Sequence, residues 1–144
     1  MASTCIFCKI VDGSIPCHKV LETSKTLAFM DINPLARGHL LVIPKQHAAE
    51  LHFLDYDSAA EIGRVLARIG RVVAGPDFST KYNVLQNNGY IAHQEVDHVH
   101  FHFIPKRDSD SGLKLPFWES LPTDHAAFAE DAKKYRESLE EIPE

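Results

Sequence analysis

His98-Val99-His100-Phe101-His102-Phe103-Ile104 alternates strictly between imidazole and apolar side chains. In an extended strand, successive side chains point to opposite faces. Val99, Phe101 and Phe103 then share a face directed into a core. His98, His100 and His102 share the other face, each about 7 Å from the next at the usual strand rise. Burial alone does not explain three imidazoles on one face. Each buried ring needs hydrogen-bond partners, and the three disfavour one another when charged. A solvent-facing row would be better served by β-formers such as Thr. Two chemistries suit the row. Histidines two apart on a strand can share one Zn²⁺. Equally, a neutral imidazole is a good nucleophile near pH 7, and its neighbour can donate to a phosphate oxygen. Periodicity does not choose between them.

Outward from this strand, the chain reads as short strands and two helices. Lys19–Glu22 and Thr26–Met30 are β-type runs, and Asn33-Pro34 and Arg37-Gly38 punctuate the next turn. His39–Pro44 (HLLVIP) is too apolar for a surface strand and is predicted to be central. Residues 58–74 place Ile62, Val65, Leu66, Ile69, Val72 and Val73 at helical spacing. Ser58 and Glu61 form an expected capping box, and Gly75-Pro76 ends the helix. Tyr82–Gln86 is a strand followed by the Asn87-Asn88-Gly89 turn signal. Residues 107–123 read as loop. Residues 124–142 read as a second helix, with Phe128, Ala132, Tyr135, Leu139 and Ile142 as its apolar stripe. The expected class is α+β: an antiparallel sheet of about five strands, a long central helix and a C-terminal helix.

The chain has 144 residues, enough for one domain with a real core. Fifteen Lys+Arg against twenty Asp+Glu give a net charge of −5, and no basic stripe is present. That balance speaks against duplex nucleic acid or a membrane surface as partner. No run approaches the roughly 18 apolar residues of a membrane helix. Met1-Ala2-Ser3-Thr4-Cys5 has neither a basic nor an apolar signal-peptide region, and three cysteines are no disulfide scaffold. The expected location is the cytosol, the nucleus or both.

The pattern His-φ-His-φ-His-φ-φ, with φ apolar, resembles the signature of the histidine triad (HIT) superfamily of nucleotide hydrolases and transferases. The resemblance covers about residues 5–106 and implies a single HIT domain over 1–144, with 107–144 as C-terminal loop and helix. It includes Cys5-Ile-Phe-Cys8-Lys-Ile10, Phe29-Met-Asp31-Ile32, Gly38-His39-Leu-Leu-Val-Ile-Pro44, Asn87-Asn88-Gly89 and Gln94-Glu95-Val96-Asp97-His98. Length and flanks look most like the Hint branch, and Ile91-Ala-His-Gln-Glu-Val-Asp-His98 looks most like its fungal members. The resemblance implies an adenosine 5'-monophosphoramidase-like hydrolase that cleaves P–N bonds of purine nucleoside phosphoramidates. His100 is then the nucleophile, and His102 binds a phosphate oxygen. Gln94 assists the departing group, Asp31 takes the ribose hydroxyls, and His39 orients from beneath. Phe7, Phe29, Ile32 and Leu41 resemble the base-pocket wall, each also readable as ordinary core. Asn87 resembles a phosphate-side polar residue, also readable as a turn Asn. His93, Glu95 and Val96 complete the nucleotide loop.

Cys5-x-x-Cys8 has metal-ligand spacing but supplies two ligands only. Its Ile6-Phe7 interior does not resemble a thioredoxin-type redox site. Hint-type proteins with this motif add a histidine after the Ile-Pro strand and the first triad histidine, here His47 and His98. The resemblance therefore implies a closed structural Zn²⁺ site of Cys5, Cys8, His47 and His98, with no organic cofactor. It also implies a homodimer, AMP as product, and a Trp near the partner's site, here Trp118. Cys17 is read as structural, and His18 as a surface residue.

Animal Hint-type proteins carry Gly-Gln-Ser where this chain has His93-Gln94-Glu95. Glu95 can replace the Ser as proton donor to the leaving amine if burial or phosphate charge keeps it protonated. His93 takes φ > 0 less readily than Gly, so the loop is expected to differ locally. Two other functions use the same residues: a dinucleoside polyphosphate hydrolase, and an AMP-binding regulatory module with vestigial hydrolysis.

Overall fold

The computed structural model describes residues 4–115 and 118–144. The chain falls into two compact units, Met1–Lys114 and Leu115–Glu144. In the first, helix α1 (Ile6–Val11) precedes strands β1 (Lys19–Glu22), β2 (Thr26–Met30) and β3 (Leu40–Pro44). Helix α2 (Tyr56–Val73), β4 (Lys81–Gln86) and β5 (Phe101–Lys106) follow. The strands form one sheet in the order β1-β2-β3-β5-β4, antiparallel throughout. This is the expected α+β architecture, with the apolar HLLVIP run at the centre of the sheet.

That run lacks polar alternation because both faces of β3 are covered. Ala28, Leu40, Val42 and Phe103 pack with Ile62, Val65 and Ile69 of α2. Leu27, Phe29, Leu41 and Ile43 pack on the opposite face with Phe7 of α1. Phe103 is wholly buried, and removing its ring from water contributes about 2–3 kcal/mol. Tyr82 stacks on it with ring centroids 4.4 Å apart.

Four local expectations are corrected. The N-terminal segment forms a helix beyond the two expected: Cys5 caps it, its Sγ accepting from Cys8 N–H at 3.4 Å. Six residues are too few for a helical period to show. Helix α2 begins two residues early, because Asp55 rather than Ser58 is its cap and accepts from Ser58 N–H at 2.9 Å. Glu61 instead accepts from the hydroxyls of Thr23 and Thr26 at 3.0 and 3.2 Å. Val72 is 80% exposed, so the buried stripe of α2 is narrower than its apolar residues. Finally, sheet pairing on β5 starts at Phe101, not His98. Val99 N–H leaves the ladder to donate to Ala48 C=O at 2.8 Å, which frees His98 to turn away from the row.

In the second unit, α3 (His125–Glu140) starts on Asp124, whose carboxylate accepts from Ala127 N–H at 3.0 Å. Pro116 and Phe117, which precede Trp118, lie outside the described residues. Among the described residues, no helix is long and apolar enough to cross a membrane.

Candidate active site

His100 and His102 stand side by side, with ring centroids 5.1 Å apart and planes at 70°. Their hydrogen bonds assign them opposite tautomers. His100 Nδ1–H donates to the His98 carbonyl at 2.7 Å, so its Nε2 carries a lone pair. For His102 the assignment starts one residue deeper. Leu35 N–H donates to His39 Nδ1 at 3.0 Å, so the His39 proton sits on Nε2. That proton is directed at His102 Nδ1, 3.0 Å away. His102 therefore carries its own proton on Nε2. One ring offers a nucleophilic lone pair, and its neighbour offers a donor.

Both supporting rings are neutral for a physical reason. Burial pushes His102 down to about 4, helped by repulsion from His100 and His39 and only partly opposed by Asp31. Burial lowers His39 as well, again against Asp31. Asp31 Oδ2 lies 3.4 Å from His39 Nε2 and 4.0 Å from His102 Nδ1, and Oδ1 accepts from Asn33 N–H at 2.8 Å.

The pair opens on a cavity of about 730 Å³. Ten of the twelve residues assigned to the nucleotide line it: Phe7, Phe29, Asp31, Ile32, Leu41, His93, Glu95, Val96, His100 and His102. Leu41 and His102 are register partners on β3 and β5, so strand alternation brings a base-wall candidate and the donor to one face. Ile32 is 81% exposed, which suits a flap over an open cavity rather than a core residue. Phe7 packs edge-on against His100 at 5.2 Å and against Phe29 at 5.9 Å.

Gln94 and Asn87 do not line the cavity. Gln94 is 4% exposed. Its Oε1 accepts from Gly89 N–H at 2.7 Å, and its Nε2 donates to Ala49 and Val96 carbonyls at 2.6 and 2.9 Å. It braces the loop from within. Asn87 Nδ2 donates to His93 C=O at 3.3 Å, bracing the same loop from its other end. His93 does adopt the left-handed region, at φ 67°, although it takes φ > 0 less readily than Gly. Its N–H bonds Tyr90 C=O at 3.0 Å, and His tolerates this region better than most residues. Glu95 is exposed at the rim rather than buried. Cys17 and His18, read as structural and as surface, also border the cavity. They follow Pro16 at the start of β1, where no local pattern marks a site.

The second cluster joins Cys5, Cys8, His47 and His98, their ligand atoms all within 4.8 Å of one another. Cys5 Sγ and Cys8 Sγ lie 3.5 and 3.6 Å from His98 Nδ1, and Cys8 Sγ lies 3.3 Å from His47 Nδ1. The two Nδ1 atoms are 3.3 Å apart. A tetrahedron with Zn–S of about 2.3 Å and Zn–N of about 2.05 Å has S···N edges near 3.5 Å and N···N edges near 3.3 Å. The four residues fit that metal. His98 Nε2–H donates to Pro44 C=O at 2.8 Å, leaving Nδ1 free to ligate, as metal-bound histidines require. Asp31, His39 and His102 also converge, but the proton on His39 Nε2 makes that group a hydrogen-bond relay rather than a ligand set.

A nucleophile–donor imidazole pair, buried at His100 and half-buried at His102, on a five-stranded α+β sheet and facing an apolar cavity with a carboxylate, is a nucleotide-transfer or nucleotide-hydrolysis site. The HIT domain family matches residues 12–109, and the chain belongs to that family. It is 54% identical to the adenosine 5'-monophosphoramidase of Schizosaccharomyces pombe over 119 residues, 83% of this chain and 86% of that protein. It is 44% identical to the adenosine 5'-monophosphoramidase of Candida albicans, covering 97% and 94%. A hypothetical protein from Leishmania major superposes with a TM-score of 0.93 at 60% identity, covering 99% and 100%. The histidine triad nucleotide-binding protein from Candida albicans gives 0.88 at 44%, covering 97% and 100%.

Proposed function

We propose that this protein is a hydrolase of adenosine 5'-phosphoramidates. The observation that carries the reading is the opposed tautomers of His100 and His102. His100 Nε2 bonds to the α-phosphorus, and the P–N bond breaks with its electron pair going to nitrogen. That nitrogen takes a proton at the solvent-open mouth and leaves as an amine. Water then attacks phosphorus and loses a proton to solvent, His100 is released neutral, and AMP leaves. His102 Nε2–H donates to the phosphoryl oxygen as its charge grows. Asp31 holds the ribose hydroxyls, and Phe7, Phe29, Ile32 and Leu41 flank the base. Gln94 acts by holding the loop. The test is rapid quenching during turnover of an AMP amidate. Mass spectrometry should find one nucleotidyl adduct on the 98–104 peptide, and an adduct elsewhere, or none in a competent time window, would overturn the covalent route.

Dinucleoside polyphosphate hydrolysis and AMP binding with vestigial turnover are the competing readings. Against the first, no Lys or Arg of the described residues lines the cavity, so nothing there neutralises a polyanion. Comparing turnover of an AMP amidate with that of a diadenosine polyphosphate separates the readings.

Zn²⁺ held by Cys5, Cys8, His47 and His98 supports the fold, since four protein ligands leave no open position for water. A homodimer is supported by β4, an edge strand of the sheet. Tyr82 and Val84 on it, with Val72 of α2, present apolar surface at 41–80% exposure. Reduced cysteines that bind metal agree with the cytosol or nucleus.

A further inference from the structure

Gln94 is turned inward and fully bonded to backbone, so its neighbours His93 and Glu95 both reach the cavity rim. The loop is held at both ends: His93 N–H and C=O are bonded to Tyr90 and Asn87, and Gln94 N–H to Gly89 C=O. Glu95 is therefore presented by a rigid frame. Its carboxylate makes no hydrogen bond or ion pair among the described residues. The other carboxylate of the cavity, Asp31, lies against His39 and His102 on the ribose side of the proposed substrate. Among the described residues, the remaining ionisable lining consists of imidazoles and Cys17, without Lys or Arg.

An unpaired carboxylate that lines the same cavity as His100 and His102 raises the free energy of binding an anionic phosphoryl group there unless the substrate brings a compensating cation. The position left for that cation is on the departing group. We propose that Glu95 forms a leaving-group subsite that selects amines carrying a second, protonated amino group. The inference rests on the phosphoramidase reading and names the charge class of its substrate. It also gives Glu95 a use that does not require the carboxyl to be protonated.

Three AMP amidates with four-atom chains test this: 4-aminobutyl, butyl and 3-carboxypropyl. Wild type should rank kcat/KM ammonium over neutral over carboxylate, by about 3- to 10-fold per step for a partly screened charge pair. The spread should narrow in 0.5 M salt. Glu95→Gln should collapse it, and Glu95→Lys should invert it. Inductive differences among the amines persist in every variant and cancel in that comparison. Equal rates in wild type, or an unchanged spread in Glu95→Gln, would overturn the subsite and leave the phosphoramidase reading standing. No turnover of any amidate by wild type would overturn both.

Discussion

His39 Nε2 lies 3.0 Å from His102 Nδ1, and this contact decides which end of the His102 ring carries its proton. With Leu35 N–H occupying His39 Nδ1, the relay has one direction: backbone to His39 to His102 to cavity. His39→Phe keeps the ring volume and removes the donor. His102 can then exchange tautomers, so kcat should fall about 10- to 100-fold, as for other residues that orient a functional imidazole, with a smaller change in KM. A steady-state comparison checks this, and an unchanged kcat would remove the relay from the mechanism.

His100→Ala should lose at least about 10³-fold in kcat, since a covalent nucleophile has no substitute in its neighbours. AMP binding, measured by calorimetry, should remain. His102→Ala, which loses one transition-state donor, should cost about 10²–10³. Near-normal turnover by His100→Ala would refute covalent catalysis by this ring.

Metal removal is expected to act first on stability. Chelation, or Cys5→Ser, should lower Tm markedly, while initial turnover at low temperature falls less, because a closed site does not activate water. Phe7 sits between the two cysteines and against His100, so AMP affinity of the stripped protein should weaken as α1 loosens. Prompt, complete and zinc-reversible loss of turnover with Tm unchanged would point to catalytic metal instead.

The half-buried imidazole of His102 sets an acid limit. Its folded value, about 4, lies below the ordinary 6.5, so on acidification the unfolded chain takes up the proton first. Folding stability should therefore fall as pH drops from about 6.5 to about 4 and change no further through this group below that. Release of a metal held by Cys5, Cys8, His47 and His98 would add its own acid slope. The contribution of His102 is the part of the slope that His102→Asn removes, read from urea midpoints at several pH values. Parallel profiles for the two proteins would deny it.

His93 holds φ 67°, a conformation that costs a side-chain-bearing residue about 1 kcal/mol or more. His93→Gly should raise stability by about 1 kcal/mol in urea unfolding with the m-value unchanged. A loss of stability would show that the imbalance is made good by contacts of the imidazole.

Strand boundaries β1 and β2, the central place of Leu40–Pro44 and the burial of Ile62, Val65 and Ile69 were legible from periodicity. So was the suspicion falling on His98, His100 and His102. These follow from backbone repeats that depend on near neighbours alone. Boundary details were less legible where several residues compete: Asp55, Asp57 and Ser58 can each cap a helix, and only packing selects Asp55.

The alternation at 98–102 could not separate metal from phosphorus chemistry, because side-chain period says which face a ring occupies and not where its nitrogens point. Sheet pairing that begins at Phe101 turns His98 toward Cys5, Cys8 and His47 and leaves His100 and His102 to the cavity. Gln94, read as a substrate contact, is committed to Gly89, Ala49 and Val96. Tautomers, ligand distances and the inward turn of Gln94 all depend on partners up to 93 residues away. Hydrogen-bond direction and the convergence of candidate ligand atoms are properties of atoms brought together by the tertiary fold, and no local pattern of residue types encodes them.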